Sequence, residues 1–99
     1  MITGSQCRAG RALAEISRDI LAKLSKVDAT VIEHFERKLD KPVAKDVAAI
    51  AAALESAGII FLPENGGGVG VRLKFTASEA RRIAVLEGEG GVTGLDEVP

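Results

Sequence analysis

Apolar residues recur along the first 58 positions at three- and four-residue intervals and then switch to strict alternation, so the pattern predicts helices followed by strands. Thr3 or Ser5 can cap a first helix running to about Ala14, with Cys7, Gly10, Leu13 and Ala14 on one side. Ser17 suits the N-cap of a second helix, whose Ile20, Leu21 and Leu24 are expected to point inward. Asp28 suits the N-cap of a third, where Ile32, Phe35 and Leu39 form a buried stripe that Val27 and Val31 extend. Pro42 interrupts the pattern, and a fourth, alanine-rich helix is expected from Ala44 to Ala57, with Val47, Ile50 and Leu54 inside and Gly58 as its stop.

Past Gly58 the run Ile59 to Leu62 is closed by Pro63, and Val69, Val71, Leu73 and Phe75 alternate with Gly70, Arg72 and Lys74. Between them Asn65-Gly66-Gly67-Gly68 supplies residues that tolerate positive φ, so the two runs predict a β-hairpin. A lone hairpin is marginal in water, so this one must pack on the helices or pair with a second copy. In the second case Ile59, Phe61, Val69, Val71, Leu73 and Phe75 form a dimer interface. Thr76 or Ser78 can cap a short fifth helix to about Glu87, and the glycine-rich, acidic residues 88–99 are expected to be a disordered tail. The expected fold is mainly α, four to five helices with a C-terminal β-hairpin. Its divisions are a helical domain over 1–58, a hairpin extension over 59–75, a short helix over 76–87 and a tail over 88–99.

Composition narrows the picture. Ninety-nine residues, 46% hydrophobic, suffice for one core, and with only three Phe as aromatics that core must be built from Leu, Ile, Val and Ala. Net charge is −1, but residues 1–45 carry a positive surplus of three and residues 46–99 a negative surplus of four. Any attraction for phosphate therefore belongs to the N-terminal half. A single cysteine, Cys7, excludes an internal disulfide and a cysteine-rich zinc site and suits a reducing cytoplasm. No apolar run approaches the roughly 18 residues that cross a bilayer, and the N-terminus lacks the order of a signal peptide.

Little in the chain suggests catalysis. His34 is the lone histidine, Cys7 lies on an apolar helix side, and Glu33, Glu36 and Asp40, although on roughly one helical face, read better as paired or solvated carboxylates than as an acid–base set. Gly66 to Gly70 lacks the lysine and hydroxyl residue of a phosphate loop and leads into a strand. No enzyme activity, cofactor or metal is expected.

In order along the chain stand Arg11-Ala12-Leu13, Ile16-Ser17, Leu21-Ala22, Val27, Ile32, Phe35-Glu36-Arg37, Pro42, Ile50, Leu54-Glu55 and Ala57-Gly58. Together they resemble the Cro/C1-type (XRE family) helix-turn-helix regulators over about residues 4–58. The apolar strand, the Pro63-Glu64-Asn65-Gly66-Gly67-Gly68 turn and Val71-Arg72-Leu73 are similar to small bacterial members with a terminal hairpin. The resemblance implies a Cro/C1 repressor-like fold whose third helix enters the major groove while the second helix meets phosphate. It implies contacts from Ser17, Arg18, Ala29, Thr30, Glu33 and His34 and an internal ion pair between Glu36 and Arg11. Lys23 and Lys26 are expected near phosphates.

The partners so implied are double-stranded operator DNA and a second copy of the chain, and the function is transcription regulation. Arg18 stands where the family usually has Gln, Lys26 where it has Gly, and Asp28 where it has Ser or Thr. Asp28 and Glu33 bring carboxylates toward a polyanion. The alternative expectation is a divergent helix-turn-helix protein that binds another transcription factor, as an anti-activator or anti-repressor, with little or no DNA contact.

Overall fold

Thr3 starts the structure as a reciprocal cap. Its hydroxyl accepts from the Gln6 N–H at 3.0 Å, and the Gln6 carboxamide accepts from the Thr3 N–H at 2.9 Å, which satisfies donors that the first turn would otherwise leave unpaired. The computed structural model describes residues 1–74. Helix α1 (Gly4–Ala14) is followed by α2 (Arg18–Ser25), α3 (Ala29–Glu36) and α4 (Ala44–Ser56), then by β1 (Ile59–Leu62) and β2 (Gly70–Leu73). Phe75, the fifth helix expected over 76–87 and the tail expected over 88–99 lie outside the described residues. Among the described residues no helix is long and apolar enough to cross a membrane.

One core joins all the elements. Cys7, Leu21, Val27, Ile32, Phe35, Val47, Ile50, Ala53, Leu54 and Ile59 are buried together, so α4 and β1 complete what α1 to α3 begin. Gly10 is buried where a Cβ would stand 3.5 Å from both Ile59 and Leu54, so this small residue lets α1 approach α4 and the hairpin.

The inward stripe of α2 differs from expectation. Leu21 and Ser25 face in, while Ile20 and Leu24 are 45% and 56% exposed. The buried Ser25 hydroxyl is satisfied locally, donating to the Leu21 carbonyl at 2.7 Å and accepting from the Val27 N–H at 3.2 Å. Leu13 is exposed as well, at the last turn of α1.

Helix α3 stops earlier than its apolar letters suggest. Lys38 takes a left-handed φ of 60°, its N–H bonds back to the Phe35 carbonyl, and the Leu39 N–H reaches the His34 carbonyl at 2.8 Å. These two bonds form a Schellman stop with lysine in the place glycine usually fills. Leu39 therefore leaves the buried stripe and is 60% exposed. Since a left-handed L-residue carries a steric cost that glycine avoids, Lys38→Gly is expected to stabilise the fold by about 1 kcal/mol. Thermal denaturation should register that as a Tm several degrees higher.

Strands β1 and β2 pair antiparallel, with Ile59 opposite Leu73, Ile60 opposite Arg72, Phe61 opposite Val71 and Leu62 opposite Gly70. The second strand is shorter than the alternation from Val69 to Phe75 predicts. In the connecting turn the Glu64 carboxylate accepts from the N–H groups of Gly66 and Gly68 at 3.0 and 3.2 Å, and both glycines have positive φ. The Gln6 carboxamide then donates to the carbonyls of the paired residues Leu62 and Gly70, tying the hairpin to α1.

Candidate nucleic-acid interface

Two short helices and their caps build the candidate surface. Ser17 is extended, and its hydroxyl accepts from the Ile20 N–H at 3.1 Å, opening α2. The chain leaves α2 through Lys26, left-handed at φ 63°, and buried Val27 pins the connection to the core. Asp28 opens α3 by accepting from the Thr30 N–H at 2.8 Å. Helices α2 and α3 are thus joined directly through Lys26, Val27 and Asp28.

With Ile32, Phe35 and Glu36 turned inward, the remaining positions of α3 are available to solvent to differing degrees. Asp28 and Thr30 are exposed, and Ala29, Val31, Glu33 and His34 are half-buried. Glu33 receives Arg37 Nη1 at 3.0 Å, an exposed pair one helical turn apart. That neighbour offsets part of the negative charge that Glu33 brings to the surface. Ser17, Lys23 and Lys26 are exposed around α2.

Beneath this surface lies a buried carboxylate. The Glu36 side chain has no solvent exposure and is reached by four donors from three residues. Arg11 contributes Nε and Nη2, each at 2.7 Å, while Arg18 Nε stands at 3.0 Å and Cys7 Sγ at 3.1 Å. The Arg11–Glu36 pair that the resemblance implies is therefore present, as a bidentate contact. Arg18 is a further partner that spacing alone does not reveal, and this draws it partly inward from the open position expected of it.

Burial alone would raise the Glu36 carboxyl, but hydrogen bonds from Arg11, Cys7 and Arg18 outweigh it and hold its pKa below the ordinary carboxylate value. The same bond raises Arg11. Burial, reinforced by Glu36, pushes the Cys7 thiol far up, so the sulfur is a neutral donor here and not a reactive thiolate.

The residues expected at a dimer interface lie mainly against the protomer's own helices. Ile59 is 2% exposed within the core, and Phe61, Val71 and Leu73 are half-buried and packed on it. Val69 and Leu62 are the exposed large apolar side chains of the described hairpin. A set of cations that no motif marks follows α3: Arg37, Lys38, Lys41 and Lys45 are all exposed between α3 and the first turn of α4. The positive surplus of the N-terminal half was the signal that contained them. Among the described residues no three His, Cys, Asp or Glu side chains converge as metal ligands. No protein-family model and no curated protein matches the chain.

Proposed function

We propose that this chain is a sequence-specific DNA-binding transcriptional regulator of the Cro/C1 type, acting as a homodimer that sets one α3 in each of two successive major grooves. The observation that carries the reading is the capped pair α2 and α3, joined by three residues and seated on the Arg11–Glu36 pair. Support also comes from the exposed cations that flank it, Lys23, Lys26, Arg37, Lys38, Lys41 and Lys45, which suit a phosphate backbone. In this reading exposed Thr30 and half-buried Glu33 and His34 offer polar groups to base edges, Ala29 offers a methyl to thymine, and Ser17 and Arg18 meet phosphate at the start of α2. Exposed Val69 and Leu62 on the hairpin offer apolar surface to a second copy. Such a regulator acts in the bacterial cytoplasm, where its DNA lies.

A gel-shift titration with the DNA flanking its own gene tests the proposal. A discrete complex is expected, with log affinity falling linearly as log salt rises. Absence of such a complex even at low salt overturns it. Glu33→Gln is expected to keep or raise the affinity, by about two- to fivefold, because it removes a carboxylate near phosphates.

A second reading follows from the carboxylates of Asp28 and Glu33 on the same surface. A face so altered suits another transcription factor better than a polyanion, and a stoichiometric protein partner should then co-purify. Isolation of the homodimer alone, together with specific DNA binding, would remove this alternative.

A further inference from the structure

We propose, resting on the DNA-binding reading above, that Glu36 is a positioning residue that aims Arg18 at a backbone phosphate, holding the guanidinium by Nε and leaving its terminal nitrogens for the ligand. The two arginines on Glu36 are used differently. Arg11 commits Nε and Nη2 to the carboxylate and Nη1 to the Ile16 carbonyl, and its side chain is 15% exposed. Arg18 commits Nε alone, its terminal nitrogens make no hydrogen bond among the described residues, and its side chain is 36% exposed.

Charge points the same way. Two guanidinium groups meet one carboxylate, and the cysteine beside them is neutral, so the cluster keeps one unit of positive charge. Arg11 already matches Glu36 through a bidentate contact, which leaves that surplus on the more exposed Arg18.

Guanidinium geometry supplies the rest. Its five N–H groups are fixed in one plane, and an Nε–H bond leaves the end-on pair Nη1 and Nη2 open for a bidentate contact with phosphate. An arginine anchored at Nε has already lost much of its rotamer freedom, so phosphate binding need not order it again. Lysine, with one nitrogen, cannot hold Glu36 and a phosphate in this way.

The test compares the full chain with Arg18→Lys and Arg18→Gln, using a mixed-sequence duplex about two helical turns long as the probe. Fluorescence anisotropy over a salt series gives affinity and slope, and nitrogen-15 NMR follows the arginine side chains of the wild type. Arg18→Gln should lower affinity about tenfold and flatten the salt slope by about one contact. Arg18→Lys should fall nearly as far despite keeping its charge. In the wild type the Arg18 Nε–H signal should hold its position as duplex is added while the Nη signals change.

Arg18→Lys binding like the wild type, or an Nε–H signal that leaves its free position on titration, overturns this proposal alone. Failure of the wild type to bind the duplex at the lowest salt overturns the DNA-binding reading, and this proposal with it. Should both variants unfold, the wild-type NMR titration decides.

Discussion

Replacing Glu36 with Ala is expected to cost about 3–5 kcal/mol, a large share of the stability of a domain this size. The loss comes less from the attraction removed than from what is left behind. Arg11, 15% exposed and bound to Glu36 by two nitrogens, would become an uncompensated cation in a site that water barely reaches. Cys7 would lose the acceptor of its thiol at the same time. Arg18→Ala should cost no more than about 1 kcal/mol, because that side chain is partly exposed and Glu36 keeps both bonds from Arg11.

Acid should weaken the wild type through the same group. The folded-state pKa of Glu36 is depressed, so its stabilising contribution is complete above the ordinary value of 4.5 and is lost as pH falls through the folded value. Urea titrations at a series of acidic pH values should show this decline, and in Glu36→Gln the decline should be shallower. A wild-type stability that rises on acidification through this range would contradict the assignment.

Gly4→Ala is expected to destabilise by about 3 kcal/mol or more, although alanine is the better helix former. At Gly4, in the first turn of α1, an added Cβ would overlap the carbonyl oxygen of Phe35 and stand 2.9 Å from its carbon. Both are backbone atoms in the last turn of α3, so no rotamer change relieves the overlap. The two helices would have to separate, straining the Arg11–Glu36 contact between them. Ser5→Ala, one residue along and exposed, is the control and should change stability by less than about 0.5 kcal/mol. Equal melting curves for Gly4→Ala and Ser5→Ala would show that α1 does not approach α3 this closely.

Features set by local chemistry are those that could be read directly. The caps at Thr3, Ser17 and Asp28 and the stripe Val47, Ile50 and Leu54 announce themselves, since each depends on residues two to four positions apart. The turn after β1 is equally local, because Gly66 and Gly68 adopt the backbone that glycine permits. Helix α2 misleads because it has room for only one narrow inward stripe. Ser25 takes a place on it with its hydroxyl satisfied within its own helix, while Ile20 and Leu24 lie on the outer side. Nothing in the letters marks the end of α3, for its left-handed residue is lysine.

Long-range partners were harder still. Arg18 lies 18 positions from Glu36, and Gln6 lies 56 and 64 positions from the hairpin carbonyls it ties down. Periodicity records which face of an element is buried. It does not record which polar groups meet there once the helices pack. The Arg11–Glu36 pair was legible only through family resemblance, whereas the additional bonds from Arg18 and Cys7 required the assembled fold.

Operator reading by a homodimer requires two copies of α3 held one turn of DNA apart. A crystal structure of the full chain bound to the DNA flanking its own gene measures that spacing directly. The two α3 helices should lie about 34 Å apart, the spacing of successive major grooves. A chain that stays monomeric on DNA, or a dimer whose α3 helices lie too close together or too far apart to reach successive grooves, would contradict it.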